Sequence, residues 1–141
     1  RNGFPITIHA GEAPTPLAGK NVIDAIELLH AQRIGHGLQI IKHPEALKKV
    51  IEQKIVLELC PTSNWLTQAI PDKNAHPIRQ LMDQGVLVTI NSDDPGIFGI
   101  DLTNEYNLLA QRYQFSKEDF QRCHEVARKA SFMKIPTAAL K

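Results

Sequence analysis

His9-Ala10-Gly11-Glu12 follows directly on the short apolar run Ile6-Thr7-Ile8. An imidazole and a carboxylate set on an Ala-Gly turn at a strand end can aim a metal ligand and a proton donor at one small molecule. Three further apolar runs end in polar groups. Arg33-Ile34-Gly35-His36-Gly37 delivers a second imidazole, Cys60-Pro61-Thr62-Ser63-Asn64 follows Ile55–Leu59, and Asn91-Ser92-Asp93-Asp94-Pro95 delivers two adjacent carboxylates. Each string alone has a plain alternative: a strand-end His is an ordinary polar terminus, and Asp-Asp-Pro makes an Asx-type turn. Convergence of sequence-distant ionisable groups on one rim, which helix packing does not require, points to an active site.

The elements that must position these groups alternate along the chain. Strands are expected at Ile6–His9, Arg33–His36, Ile55–Cys60 and Val86–Ile90. Between them lie helical patterns: Val22, Ile23, Ala25, Ile26, Leu28 and Leu29; a segment opened by Pro44 with Ala46, Leu47, Val50 and Ile51; and one opened by Pro77 with Ile78, Leu81 and Met82. Trp65 is read as part of a loop. Two more helices are expected at Leu102–Arg112 and, after the Ser116-Lys117-Glu118-Asp119 capping pattern, at Lys117–Phe132.

Strands joined by helices re-enter a sheet in parallel. The parity carrying His9 also carries Thr7, and that carrying Asp93 also carries Asn91 and Thr89, whereas Ile6, Ile8, Val86, Val88 and Ile90 fall on the other face. Polar inside and aliphatic outside is the pattern of a (β/α) barrel with its site at the C-terminal strand ends. An open doubly wound sheet is the alternative, but neither a G-x-G-x-x-G nor a Walker loop occurs.

Composition sets the class. The 141 residues are 43% hydrophobic and 22% charged, with a net charge of +1, so a globular domain with a real core is expected. The sixteen Lys and Arg are scattered, which argues against a nucleic-acid face. Cys60 and Cys123 lack C-x-x-C spacing and read as reduced, partly buried thiols of a cytoplasmic protein. No membrane span or signal peptide is expected.

Together, His9-Ala10-Gly11-Glu12, Arg33-Ile34-Gly35-His36-Gly37, Ser63-Asn64 and Asn91-Ser92-Asp93-Asp94-Pro95-Gly96, with Asp101 and Glu105 behind, resemble the C-terminal half of a metal-dependent adenosine deaminase of the amidohydrolase type. The resemblance implies the C-terminal half of a (β/α)8 barrel. It also implies one zinc ion per complete site, with His9 as an imidazole ligand and Asp93 as the carboxylate ligand. It makes His36 the residue beside the attacking water, Glu12 the acid that protonates N1 of the purine, and Asp94 the carboxylate that binds N7. The implied reaction converts adenosine or deoxyadenosine, with water, to inosine and ammonia, a step of purine salvage. Glu58, a charge within an apolar strand, is expected either to orient His36 or to form a buried structural ion pair.

The resemblance also shows a departure. The family's His-x-His pair on its first barrel strand is absent from the six histidines here. The chain is therefore expected to be a single unit, residues 1–141, that needs the N-terminal half of the barrel or another copy to become closed and active. His43 and His76 precede prolines and read as helix-entry residues; His30 and His124 read as ordinary helix positions, and Trp65 as an entrance or loop anchor. Three functional readings follow: an adenosine deaminase, an adenine or other adenine-nucleoside deaminase, and a silent half that serves as scaffold. Adenine deaminases usually carry Asp where this chain has Gly35, which favours a nucleoside. The zinc deaminase fold that uses Pro-Cys-x-x-Cys does not fit Cys60.

Overall fold

Each of four strands is followed by helix, and all four pair in sequence order. The computed structural model describes residues 3–133. Strands β1 (Thr7–Ala10), β2 (Arg33–His36), β3 (Val56–Leu59) and β4 (Leu87–Ile90) form one parallel sheet of order β1-β2-β3-β4. Helices α1 (Ala18–Glu27), α2 (Pro44–Glu52), α3 (Pro61–Leu66), α4 (Ile78–Asp83), α5 (Pro95–Phe98), α6 (Leu102–Tyr113) and α7 (Lys117–Ala130) alternate with or follow them. This is a partial (β/α)8 barrel.

Register sets the inner layer. His9 pairs with Gly35, Gly35 with Glu58, and Glu58 with Thr89, so one row crosses the sheet with its side chains on one face. The opposite parity supplies the core: Ile34, Leu57, Leu59 and Val88 are buried against Val22 and Ile26 of α1, Val50 of α2 and Leu81 of α4. The expected polar-inside, aliphatic-outside pattern is thus realised, with Thr7 and His9 exposed on the inner face.

Local chemistry explains most boundaries. Pro44 occupies the first turn of α2, and Ser116 and Asp119 form a reciprocal capping box on α7. β1 starts one residue later than Ile6 because the Ile6 amide donates to the Gln32 side chain (2.7 Å) rather than to a strand neighbour. Helix α7 stops at Ala130, where Ser131 turns extended. The expected loop around Trp65 is instead helix α3, opened by Pro61 in its first turn; its Thr-Ser-Asn composition favours turns locally, and tertiary contacts decide the matter. Among the described residues, no helix is long and apolar enough to cross a membrane.

Candidate active site

The chain leaves its strands through strained or glycine-dependent turns. Gly11 and Gly37 both have φ of +70°, and a Cβ on Gly11 would lie 2.6 Å from the Val22 side chain and 3.2 Å from the Gly37 Cα. Close passage of these two turns brings the ends of β1 and β2 together. His36 (φ +65°) and Asp93 (φ +60°) also adopt the left-handed region, at a cost of order 1 kcal/mol or more each. Such strain persists where surrounding contacts over-determine the backbone, and both residues are held by side-chain partners.

Glu12 sits at the centre. Its Oε2 lies 3.0 Å from His9 Nε2, while its Oε1 accepts from Thr67 Oγ1 (2.9 Å) and Asn64 Nδ2 (3.2 Å). The Glu12 carbonyl accepts from Gln39 Nε2 (3.1 Å), and the buried Gln39 amide also donates to the Ala69 carbonyl (2.7 Å). His36 Nδ1 lies 3.7 Å from Glu12 Oε1, and the His9 and His36 rings stand 4.4 Å apart.

His36 is buried, and burial, opposed most by Glu12, holds its imidazole below the ordinary histidine range. Its Nε2 points toward Asp93 Oδ2 at 3.9 Å, and Asp93 Oδ2 accepts from Ser63 Oγ at 2.7 Å. Asp94, the next residue, is exposed and precedes α5, its carbonyl accepting from the Ile97 and Phe98 amides. Thr7, His9, His36, Glu58, Asn91 and Asp93 are among the residues lining an open cavity of about 520 Å³.

Glu58 lies one layer deeper than expected for a residue that orients His36. Its carboxylate accepts from Thr7 Oγ1 (2.8 Å) and pairs with Arg33 (3.0 Å). Its register partner is Gly35, which has no side chain, so Arg33 of the same parity is the group within reach. Asn64 takes the place beside His36, with Nδ2 3.0 Å from His36 Nδ1.

Ser63, Asn64 and Thr67 therefore matter more than the sequence reading allowed. In the sequence Ser63-Asn64 stands out only as a polar strand end and as part of the resemblance, and Thr67 and Gln39 not at all. A signal exists: residues 63 and 67, four apart, fall on one face of a short helix. Helix α3 is positioned by Glu105, whose fully buried carboxyl accepts from the Thr62 amide (3.1 Å) and whose pKa burial raises.

Two groups of ligating atoms, each within 4.8 Å of one another, occur among the described residues: His9, Glu12 and His36, and His36, Cys60 and Asp93. Imidazole nitrogen and carboxylate oxygen are donors that suit zinc. Cys60 fits less well as a donor, because burial pushes its thiol far above the ordinary range. These two groups, which share His36 and place His9 and Asp93 apart, are candidate donors for a metal ion.

The sequence profile described as "Adenosine deaminase" matches residues 1–139. The chain belongs to the adenosine deaminase family. Within that family it is 40% identical over 133 residues to an adenosine deaminase of Plasmodium gallinaceum, covering 94% of this chain and 37% of the relative. It is also 40% identical over 137 residues to an adenine deaminase of Rhizobium rhizogenes, covering 97% and 42%. In structure it resembles an adenine deaminase from Arthrobacter aurescens (TM-score 0.89, 26% identity, 98% of this chain and 41% of that one). It likewise resembles a B. ambifaria amidohydrolase solved with bound Zn (TM-score 0.83, 30% identity, 98% and 38%). The chain spans about two fifths of the length of the curated relatives it matches.

Proposed function

We propose that this chain is the C-terminal half of the barrel of a zinc-dependent hydrolytic deaminase acting on adenosine. The reading rests above all on Glu12, held at hydrogen-bond distance from His9 and 3.7 Å from His36, two residues that line the open cavity. His9 and Asp93 would hold the zinc ion, together with two imidazoles from the other half of the barrel. When bound, zinc acts as a Lewis acid that lowers the pKa of water toward neutrality. The relative solved with bound Zn supports zinc as the metal.

The remaining work falls to side chains. The Asn64 amide nitrogen can only donate, so Oε1 of Glu12 accepts from it and the carboxyl proton falls on Oε2. That proton goes to N1 of the purine. C6 gains electrophilic character and water adds there; one of its protons returns to the Glu12 carboxylate and the other passes to the amine, which leaves as ammonia to give inosine. His36 stands beside the attacking water and stabilises its developing charge. Asp94, free of the contacts that hold Asp93, binds the purine edge through a proton shared between its carboxyl group and N7, since both are otherwise acceptors.

Adenine is the second substrate reading, supported by the adenine deaminase relatives. Gly35 in place of the Asp usual in adenine deaminases favours the nucleoside. The test is to join the chain to its natural N-terminal half and compare kcat/KM for adenosine and adenine. Preference for adenosine supports the proposal, and preference for adenine refutes it. The chain alone is expected to be inactive; tight stoichiometric zinc binding with turnover by residues 1–141 would refute that part.

A further inference from the structure

His76 and Asn64 are buried and hydrogen-bonded to each other, and His76 has no part in the chemistry above. His76 (4% exposed) precedes Pro77 at the entry to α4, a place that by itself suggests only a helix-entry residue. Its Nδ1 accepts from the Ile78 amide at 3.1 Å. A backbone amide only donates, so Nδ1 bears no proton and the neutral ring carries its proton on Nε2. Burial, with His36 adding to it, pushes the His76 pKa down to about 3, so the ring is neutral at physiological pH.

That one amide fixes everything downstream. His76 Nε2 lies 3.0 Å from Asn64 Oδ1 and donates to it. The Asn64 side chain, fully buried, is thereby oriented with its NH2 group toward the site, one hydrogen directed to Glu12 Oε1 (3.2 Å) and the other to His36 Nδ1 (3.0 Å). His36 Nδ1 must accept. Neutral His36 then carries its proton on Nε2, the nitrogen facing Asp93. All three side chains are at least nine-tenths buried, so exchange with bulk water does not scramble the polarity.

We propose that His76 is a positioning residue for the deamination: acting through Asn64, it sets the hydrogen-bond polarity at Glu12 and His36 together. Glu12 receives a donor on Oε1, which reserves its proton for Oε2, and His36 is presented to the cavity as an Nε2–H donor rather than as an acceptor. A reversed Asn64 amide would put an oxygen against both groups, removing the donor from Glu12 and drawing the His36 proton to Nδ1.

This inference rests on the deaminase reading for its kinetic consequence but not for its spectroscopic one. The experiment uses the zinc-loaded protein with both barrel halves, and combines steady-state kinetics on adenosine with 15N NMR of histidine tautomers. In the wild type, His36 and His76 are both expected as the Nε2–H tautomer. His76→Phe keeps the volume but frees the amide; kcat is expected to fall roughly 10- to 100-fold, with His36 losing its single tautomer. KM is expected to stay within about twofold, since orientation of the proton donor acts on the chemical step. His76→Gln, whose amide can donate to Asn64 Oδ1, is expected to recover part of kcat and the tautomer. Should His76→Phe fail to fold, Asn64→Asp replaces donor by acceptor in the same shape and is expected to move the His36 proton to Nδ1.

An Nδ1–H tautomer of His36 in the wild type would overturn the proposal. So would unchanged His36 signals in His76→Phe or Asn64→Asp, or an equal kcat loss in the Phe and Gln variants. Absence of turnover in the wild type would instead count against the deaminase reading, while the tautomers would still decide the hydrogen-bond polarity.

Discussion

Ser63 Oγ donates to Asp93 Oδ2 at 2.7 Å, linking the first turns of α3 to the end of β4. Asp93 is held at φ +60°, and this bond is one of the contacts that fix its carboxylate. Partners that orient a ligating carboxylate typically change metal affinity or activity 10- to 100-fold, by order of magnitude, when removed. Ser63→Ala is therefore expected to weaken zinc binding by roughly that factor with little loss of fold. Competition with a calibrated chelator measures it; unchanged affinity would separate Asp93 from metal binding.

Glu12 carries the proton in the proposed reaction, so Glu12→Gln should lower kcat by about 10²- to 10⁴-fold, the ordinary range for a lost general acid. Thr67→Val probes the same carboxylate indirectly, removing the 2.9 Å hydroxyl donor while leaving Asn64 in place. Its expected loss is smaller, on the order of tenfold. The ordering of the two losses, measured with adenosine at saturation, is the test. Equal losses, or none in Glu12→Gln, would move the proton donor elsewhere.

Much of this arrangement is legible in the sequence because strand parity is a local property. Thr7 and His9 share a face because both lie in β1, and the apolar runs identify the strands, whereas Asp93 lies beyond β4 at φ +60°, where strand parity no longer sets its direction. Helix α3 is hidden by its own composition: Pro-Thr-Ser-Asn reads as a turn, and a six-residue helix is too short to show a period. Partners joined across long sequence gaps are hidden too. The Asn64–His76 bond spans a loop with no periodicity. Glu58 illustrates the limit most sharply, since parity places it inside, but only the register opposite Gly35 decides that it reaches Arg33 instead of His36.

Glu58 and Arg33 are each about one-fifth to one-quarter exposed, and Arg33 also donates to the Ala130 carbonyl and stacks on Phe132. The pair thus ties the inner layer of the sheet to the end of α7. Glu58→Gln is expected to cost about 1–2 kcal/mol of stability, between the values for exposed and fully buried pairs. Turnover and its pH profile are expected to stay within about twofold of wild type. A changed pH profile at unchanged stability would give Glu58 the orienting role toward His36 that the geometry assigns to Asn64.

His76 makes stability depend on pH in a direction that can be worked out. In the folded protein its pKa is pushed down to about 3, first by burial and then by His36, whereas an unfolded histidine titrates at about 6.5. Between those values the unfolded chain binds more protons, so stability falls as pH drops; the contribution is complete above about pH 6.5 and is lost progressively toward pH 3. His76→Gln removes this titration. The stability difference between wild type and His76→Gln should therefore shift against the wild type as pH falls from 7 to 4, by up to about 1.4 kcal/mol per pH unit. Urea unfolding of both proteins at pH 7, 5.5 and 4 reads this shift directly, about the reference pKa of 6.5. Parallel stability curves would mean that His76 takes up its proton in the folded state as readily as in the unfolded one, which a ring buried between the Ile78 amide and Asn64 should not do.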